Sequence, residues 1–551
     1  MIIKKPNQLT VTHYCCAFVS VMILFAFSFA VILGAAEERP NILLIHVDDV
    51  GWGDYTVYNP QSKIKTPEID RLAATGIRFN AAHTPAALCA PTRYALLSGN
   101  YPWRGRYPAG TWGFHSETQF LKGQKTFGHF LKEAGYHTSI FGKLNVGFVY
   151  ERMLGPNKPD FTSKLAEGPI QWGFDYSFVI ARGHQSPPYV FYENNILVGD
   201  ASQVKTLTEG RKPNGGVIPS TGPGLPEWNS VEVGRQLTEK AVAFIDNHIA
   251  QNKAEGKDRP FLIHFNSDGA HGPYTPPKEL FGRKLAGETG MTPHTDMVLE
   301  TDVLVGNFVK VLKDRGIYKN TLIIVTSDNG GIPNEREQHG HDAVGGLRGQ
   351  KSQIWEGGHR VPFIAHWGDD TEGGSKIKPG TISNQVIATL DLAATFAEIA
   401  GVEPGENQAL DSLSILPILL GKQDESKPLR EFLLVQSSPG RSTKNDKIPP
   451  ELKEKFQNKP RPIRAYNAFI AQQARDGGFE GIGHAIIKND WKLFLGLTDK
   501  PEFLVNLKDD LKEQSNLIDE PDNKERIDEY KSIYSSVRKS KRSTPALKIN
   551  K

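Results

Sequence analysis

Two stretches of this chain, Ile42-Leu43-Leu44-Ile45-His46-Val47 and Leu322-Ile323-Ile324-Val325-Thr326, are apolar at almost every position, and acids follow closely behind each. A strand with one face in water alternates apolar and polar residues, so an unbroken run marks a strand covered on both faces. Thr138-Ser139-Ile140-Phe141 and Phe261-Leu262-Ile263-His264-Phe265 read as further strands. Helical patterns lie between them. Pro67 to Thr75 has Thr66 in place as N-cap and Gly76 as its stop, Phe127 to Ala134 has Gly135 behind it, and Met297 to Arg315 and Leu390 to Ala400 follow. The alternation predicts an α/β fold, a large mostly parallel sheet sandwiched by helices. Ligands collect at the carboxyl ends of the strands in such sheets, where Asp48-Asp49 and Asp328-Asn329 sit.

Beyond about residue 425 the texture changes. Ala485-Ile486-Ile487, Trp491 to Leu495 and Phe503 to Leu507 are short strands that predict a smaller C-terminal antiparallel-sheet domain. The expected division is a leader at 1–36, a large α/β domain at 37–424 and a small α+β domain at 425–551. A length of 551 residues suits one large and one small domain, and 38% hydrophobic residues excludes disorder. Residues 441–464 carry eight Lys/Arg against three acids and four prolines, an exposed insertion by composition. The tail from Arg538, with six Lys/Arg and no acid, is expected to fray. Lys+Arg is 65 against Asp+Glu 62, so no nucleic-acid partner is implied.

The chain starts Met-Ile-Ile-Lys-Lys, runs apolar from Cys15 to Ala36 with only Ser20 and Ser28 as interruptions, and closes in Gly34-Ala35-Ala36. A basic start, an apolar stretch and a small-residue end describe a secretory signal peptide, and hence a secreted or periplasmic protein. The run also has the length of a bilayer span, so membrane attachment follows if it stays uncleaved. No lipoprotein-type box precedes Cys15 or Cys16. Cleavage after Ala36 leaves one cysteine of three, Cys89, with no partner in its own chain.

Cys89 opens Cys-Ala-Pro-Thr-Arg-Tyr-Ala-Leu-Leu-Ser-Gly. A cysteine phosphatase needs five residues between Cys and Arg; here there are three. The segment instead resembles the type I sulfatase signature, Cys-x-Pro-Ser/Thr-Arg followed by Leu-x-Gly. The resemblance, within the alkaline-phosphatase-like superfamily, extends from about Pro40 to Leu517. Pro40 to Asp54 is similar to the family's first metal motif, Ser327-Asp328-Asn329-Gly330 to its second, and Leu347 to Pro362, with Arg348 and Lys351, to its lysine motif. Gly142-Lys143 and Asp268 to Pro273, containing His271, match other pocket elements. Asn489 to Leu493 and Asn506 to Leu517 resemble the family's small C-terminal sheet domain.

The resemblance implies that a maturation enzyme oxidises Cys89 to formylglycine, whose hydrate has two hydroxyls on one carbon. One attacks sulfur and the other expels sulfate as the aldehyde reforms; a serine supports only the first step. Asp48, Asp49, Asp328 and Asn329, with the modified Cys89, are the implied ligands of one divalent ion, calcium in this family, and oxygen-only donors suit such a hard cation. Three carboxylates against +2 leave −1, and Lys143, Lys351 and Arg93 bring the site to +2, an anion receptor. His271, with Lys351, is the implied acid for the leaving oxygen. The family's usual Gly-Lys-x-His is Gly-Lys-Leu-Asn here, and Asn145 can bind sulfate but cannot take a proton. His184 is the candidate base in its place.

The expected substrate is a sulfated carbohydrate or polysaccharide. Trp103, Tyr107, Trp112 and the segment from Phe148 to Pro226 are candidate sugar-stacking walls, and the 441–464 insertion is a candidate polyanion contact. A phosphodiesterase or phosphonate hydrolase of the same superfamily, and a non-catalytic carbohydrate-binding relic, are the alternatives.

Overall fold

Alternate residues of the first strand serve two different cores. In β1 (Asn41–Val47), Ile42 and Leu44 join one buried cluster while Leu43, Ile45 and Val47 join another. A computed structural model of the protein shows this arrangement. It describes residues 39–549 apart from 113, 115–116, 185, 210–219, 440–453, 460–464, 467–468 and 470–480. The leader expected at 1–36 and most of the 441–464 segment expected to be an insertion therefore lie outside the described residues.

Nine further strands complete the sheet: β2 (Ile77–Phe79), β3 (His137–Lys143), β4 (Tyr176–Ile180), β5 (Tyr192–Glu193), β6 (Ile196–Leu197), β7 (Phe261–Asn266), β8 (Thr321–Ser327), β9 (Phe363–His366) and β10 (Thr381–Ser383). Their order is β6-β5-β4-β3-β7-β1-β8-β9-β2-β10. From β4 to β8 every pairing is parallel, with Ile42 opposite both Leu262 and Leu322, while β5, β6 and β9 run antiparallel to their neighbours. One face is covered by α1 (Pro67–Ala74) and by the helices that precede β7 and β8, the other by α2 (Cys89–Ser98) and α3 (Phe127–Glu133). Those two long helices are α4 (Val233–Glu255) and α5 (Pro293–Asp314), and α6 (Leu392–Ala400) joins α2 and α3.

Two local expectations change. Thr66 makes no side-chain cap; Asp302 of α5 accepts from Glu68 N and Ile69 N, both at 2.9 Å, and caps α1 from across the core. The tail does not fray. After α7 (Lys524–Lys539), Arg542 donates to the carbonyls of Gln408 at 2.6 Å and Glu406 at 3.0 Å, and Arg104 donates to Ser540 O at 2.8 Å. The Arg542 guanidinium thus satisfies backbone carbonyls rather than solvent.

Near the C-terminus, β11 (Leu433–Pro439), β12 (Ile482–Lys488), β13 (Trp491–Leu495) and β14 (Pro501–Asn506) form the antiparallel sheet. Its apolar face belongs to the same buried cluster as α2, and residues 40–551 form one unit. Ala87 N donates to Gln436 O at 2.8 Å and Gln436 N to Pro85 O at 3.1 Å, so β11 is bonded to the loop that enters Cys89. Among the described residues no helix is long and apolar enough to cross a membrane.

Candidate active site

Four adjacent parallel strands release the site residues from one edge. Lys143 is the last residue of β3, Asp48-Asp49 follow β1, Asp328-Asn329 follow β8, and the loop with Asp268 and His271 follows β7. Gly142 has φ +84°, and a Cβ there would fall 1.8 Å from Asn266 O, so only glycine lets β3 and β7 close this tightly behind Lys143.

Helix α2 begins at Cys89 itself, and all ten of its residues are buried. Cys89 thus stands in the first turn, where free N–H groups favour negative charge. Arg93, one turn on, shares its face. Its Nε and Nη2 donate to Asp328 Oδ2 at 3.0 and 2.7 Å, and its Nη1 donates to Lys143 O and Asn266 Oδ1 at 3.0 Å each. Nη2 also lies 3.4 Å from Asp48 Oδ2. The planar fork is used on three strand ends at once and fixes their spacing.

Two lysines complete the neutralisation. Lys143 pairs with Asp48 and Lys351 with Asp49. Burial opposes ionisation of Asp48, but Lys143, His271 and Arg93 outweigh it and hold the carboxyl well below the usual range. Burial and the neighbouring Asp48 raise Asp328 to about 7. Burial likewise pushes the Cys89 thiol up, so an unmodified cysteine here is a protonated, weak nucleophile. Asn145 donates its amide to Cys89 Sγ at 3.5 Å. Its φ of +57° is one that asparagine tolerates.

The donor set fits a hard divalent cation. Asp48 Oδ1 and Asn329 Oδ1 are buried acceptors with no donor, and Asn329 and Asp328 are tied to Asp49 through Asn329 Nδ2 at 2.8 Å and Asp49 N at 3.3 Å. Asp48, Asp49 and His271 bring ligand atoms within 4.8 Å of one another. A second such group, His83, Glu356 and His359, differs because a fixed cation already stands in it. Lys492 Nζ lies 2.9 Å from Glu356 Oε1 and 2.8 Å from His359 Nε2.

His184 is set one layer back. Its Nδ1 lies 2.7 Å from Asp268 Oδ2 and its Nε2 2.8 Å from His271 O. Burial disfavours its charge, yet Asp268 and that carbonyl raise its pKa, and both ring nitrogens face acceptors. Both nitrogens of the ring expected to act as base are thus engaged, by Asp268 and by the His271 carbonyl. Two of the candidate sugar walls resolve otherwise: Trp112 is core, and Trp103 stacks on Tyr101 at 4.5 Å beneath Arg538. Sequence reasoning missed Asn266, legible as the polar last residue of an apolar strand. It also missed Arg182, near enough to Cys89 for its charge to act on the ionisation of that side chain.

The sulfatase family model matches residues 40–402, most of the chain. The chain belongs to the sulfatase family. N-acetylgalactosamine-6-O-sulfatase of Bacteroides thetaiotaomicron is 31% identical to this sulfatase over 441 residues, 73% of this chain and 80% of that protein. Human arylsulfatase A is 32% identical over 70% of this chain and 69% of its own. A solved 6S-sulfatase from a locus of B. thetaiotaomicron for metabolism of multiple glycosaminoglycans superposes with a TM-score of 0.71, at 26% identity, over 92% of this chain and all of that one. The fold expected from the strand pattern is the sulfatase's own, and its activity class is sulfuric ester hydrolysis.

Proposed function

We propose that this sulfatase is an exported enzyme that removes 6-O-sulfate from an N-acetylhexosamine of a glycosaminoglycan-type carbohydrate. The observation that carries the reading is the cluster of Arg93, Lys143 and Lys351 around three buried aspartates beside Cys89, on a chain matching N-acetylgalactosamine-6-O-sulfatase over most of its length. Export is supported by the basic and then apolar N-terminus. Sulfate release from sulfated sugars, read by ion chromatography, tests the substrate. The 6-O-sulfated N-acetylgalactosamine should be the best substrate, and a stronger preference for 4-O-sulfate would contradict the assignment.

Asp48, Asp49, Asp328 and Asn329 would hold a divalent ion, calcium by the family's habit, beside formylglycine made from Cys89, and together these supply an activated hydroxyl nucleophile. Arg93 holds Asp328 and Asp48 in register and Lys143 balances Asp48, so the anion enters a site with positive surplus. Lys351 is 13% exposed and His271 23%, so these two face the entering substrate. Burial and the two lysines push His271 down to about 4. Its Nδ1 lies 2.8 Å from Gly272 O, which can only accept, so the neutral ring carries its proton on Nδ1 and turns a bare Nε2 to the site. His271 thus accepts a hydrogen bond there, and the Lys351 ammonium, its pKa raised after burial is outweighed by Asp49, supplies positive charge to the leaving oxygen.

Two results follow. EDTA should abolish sulfate release and lower the melting temperature, with calcium restoring both; ligand at a hundred times its Kd is worth about 2.7 kcal/mol of stability. Unchanged activity after exhaustive chelation would contradict the ligand set. Because Asn145 cannot act as a base, release of the alcohol should outrun release of sulfate, visible as a burst. Asn145→His should remove the burst and raise kcat by about tenfold, below the usual range for general base catalysis. A wild-type enzyme without a burst would contradict this.

A further inference from the structure

A cleft of about 660 Å³ opens between the N-terminal ends of α4 and α5 and the loop that continues from His271. Both helices end shortly before β7 and β8 begin, so both start at the carboxyl edge of the sheet, the edge that carries the catalytic aspartates. Tyr274 links the two regions. It lines the cleft three residues beyond His271, and it is close enough to Asp49 and Lys351 for their charges to act on its hydroxyl.

Two aromatic side chains on this wall are held from behind. Trp228 packs on Phe191 with ring centroids 5.2 Å apart, and Tyr274 packs on His294 at 4.8 Å. His294 is in turn fixed by Glu335 at 3.1 Å. Asn229, Thr275 and Thr292 add polar groups at the rim, and among the described residues no lysine or arginine lines the cleft. Among the described residues its single charged side chain is Asp296, whose oxygens accept from Gly287 N at 2.7 Å, Thr289 N at 3.0 Å and Thr289 Oγ1 at 2.7 Å. The wall therefore offers flat apolar surface and neutral polar groups with a fixed negative charge, the opposite of the sulfate site beside it.

We infer that this cleft is a subsite for an uncharged sugar ring, the unit next to the sulfated one, and that it selects against a neighbour carrying a carboxylate or a second sulfate. The inference rests on the sulfatase reading above and adds the charge of the neighbouring ring. Kinetics on the matured, calcium-loaded enzyme test it with three substrates: nitrophenyl sulfate, 6-O-sulfated N-acetylgalactosamine joined to galactose, and the same sugar joined to glucuronic acid. The galactose compound should exceed the glucuronate compound in kcat/KM by about tenfold, the equivalent of about 1.4 kcal/mol. Trp228→Ala and Tyr274→Ala should raise KM for the galactose compound about tenfold more than for nitrophenyl sulfate. Equal or better use of the glucuronate compound by the wild type would overturn the inference, and that comparison stands even if a variant fails to fold. Equal losses on disaccharide and aryl sulfate in the variants would overturn it too. Absence of sulfate release from all three substrates would instead sink the parent reading.

Discussion

Cys89→Ser is expected to lower turnover by about 10⁴-fold or more, the scale seen when a covalent nucleophile is removed. The serine hydroxyl occupies the first turn of α2 beside the same lysines and arginine, so it can attack sulfur once. With a single hydroxyl on its carbon it has no second group to expel sulfate. The variant should therefore accumulate one SO₃ group per chain at residue 89, seen by intact mass, while Cys89→Ala should show neither turnover nor adduct. Turnover within tenfold of wild type in either variant would contradict the mechanism.

Lys492→Met is expected to cost about 3–5 kcal/mol, because it strips the cation from two buried carboxylates. Lys492 on β13 reaches Glu356 and Glu513 at 2.9 Å each, and all three are fully buried. Glu513 Oε2 also accepts from Glu356 N at 2.7 Å, and its carbonyl accepts from Arg348 at 2.5 Å. Arg348 lies 3.6 Å over Trp355, and Ser352 N donates to Ala87 O at 2.6 Å. The small sheet thereby fixes the segment that carries Lys351 against the loop that carries Cys89. Sulfate release should fall along with the urea midpoint.

The loss should also depend on pH. Burial and Glu356 raise Glu513 to about 7 even with the lysine present. A carboxyl that holds its proton more tightly folded than unfolded contributes stability that is full below the unfolded pKa and is lost as pH rises through the folded one. The variant should then be least handicapped in mild acid and weaken as pH climbs through neutrality. An unchanged urea midpoint at pH 8 would remove this role from Lys492.

The parallel strands were legible because they are buried on both faces. Ile42 to Val47 and Leu322 to Val325 have no solvent side to interrupt the apolar run, and their carboxyl ends expose the polar pairs that mark a site. Short strands such as Ile77–Phe79 and Thr381–Ser383 carry no such signal, since three residues fit many patterns. Lys492 lies in the motif Asn489 to Leu493, and nothing in that motif shows its burial. Only the long-range approach of Glu356 and Glu513 makes its burial affordable. His184 shows the same limit: its histidine chemistry was visible, but the Asp268 and His271 O contacts that spend it were not. Cys89 was legible because its neighbours Pro91, Thr92 and Arg93 stand at fixed spacing, and the helix that starts at the cysteine gives that spacing its purpose.

Peptide mass spectrometry across residues 89–93, on protein produced with a formylglycine-generating enzyme and sorted by sulfate release, tests the central claim most directly. The account predicts an aldehyde in place of the Cys89 thiol in the fraction that turns over, with activity proportional to the converted share. An intact thiol at residue 89 in a preparation that releases sulfate at full rate would contradict it.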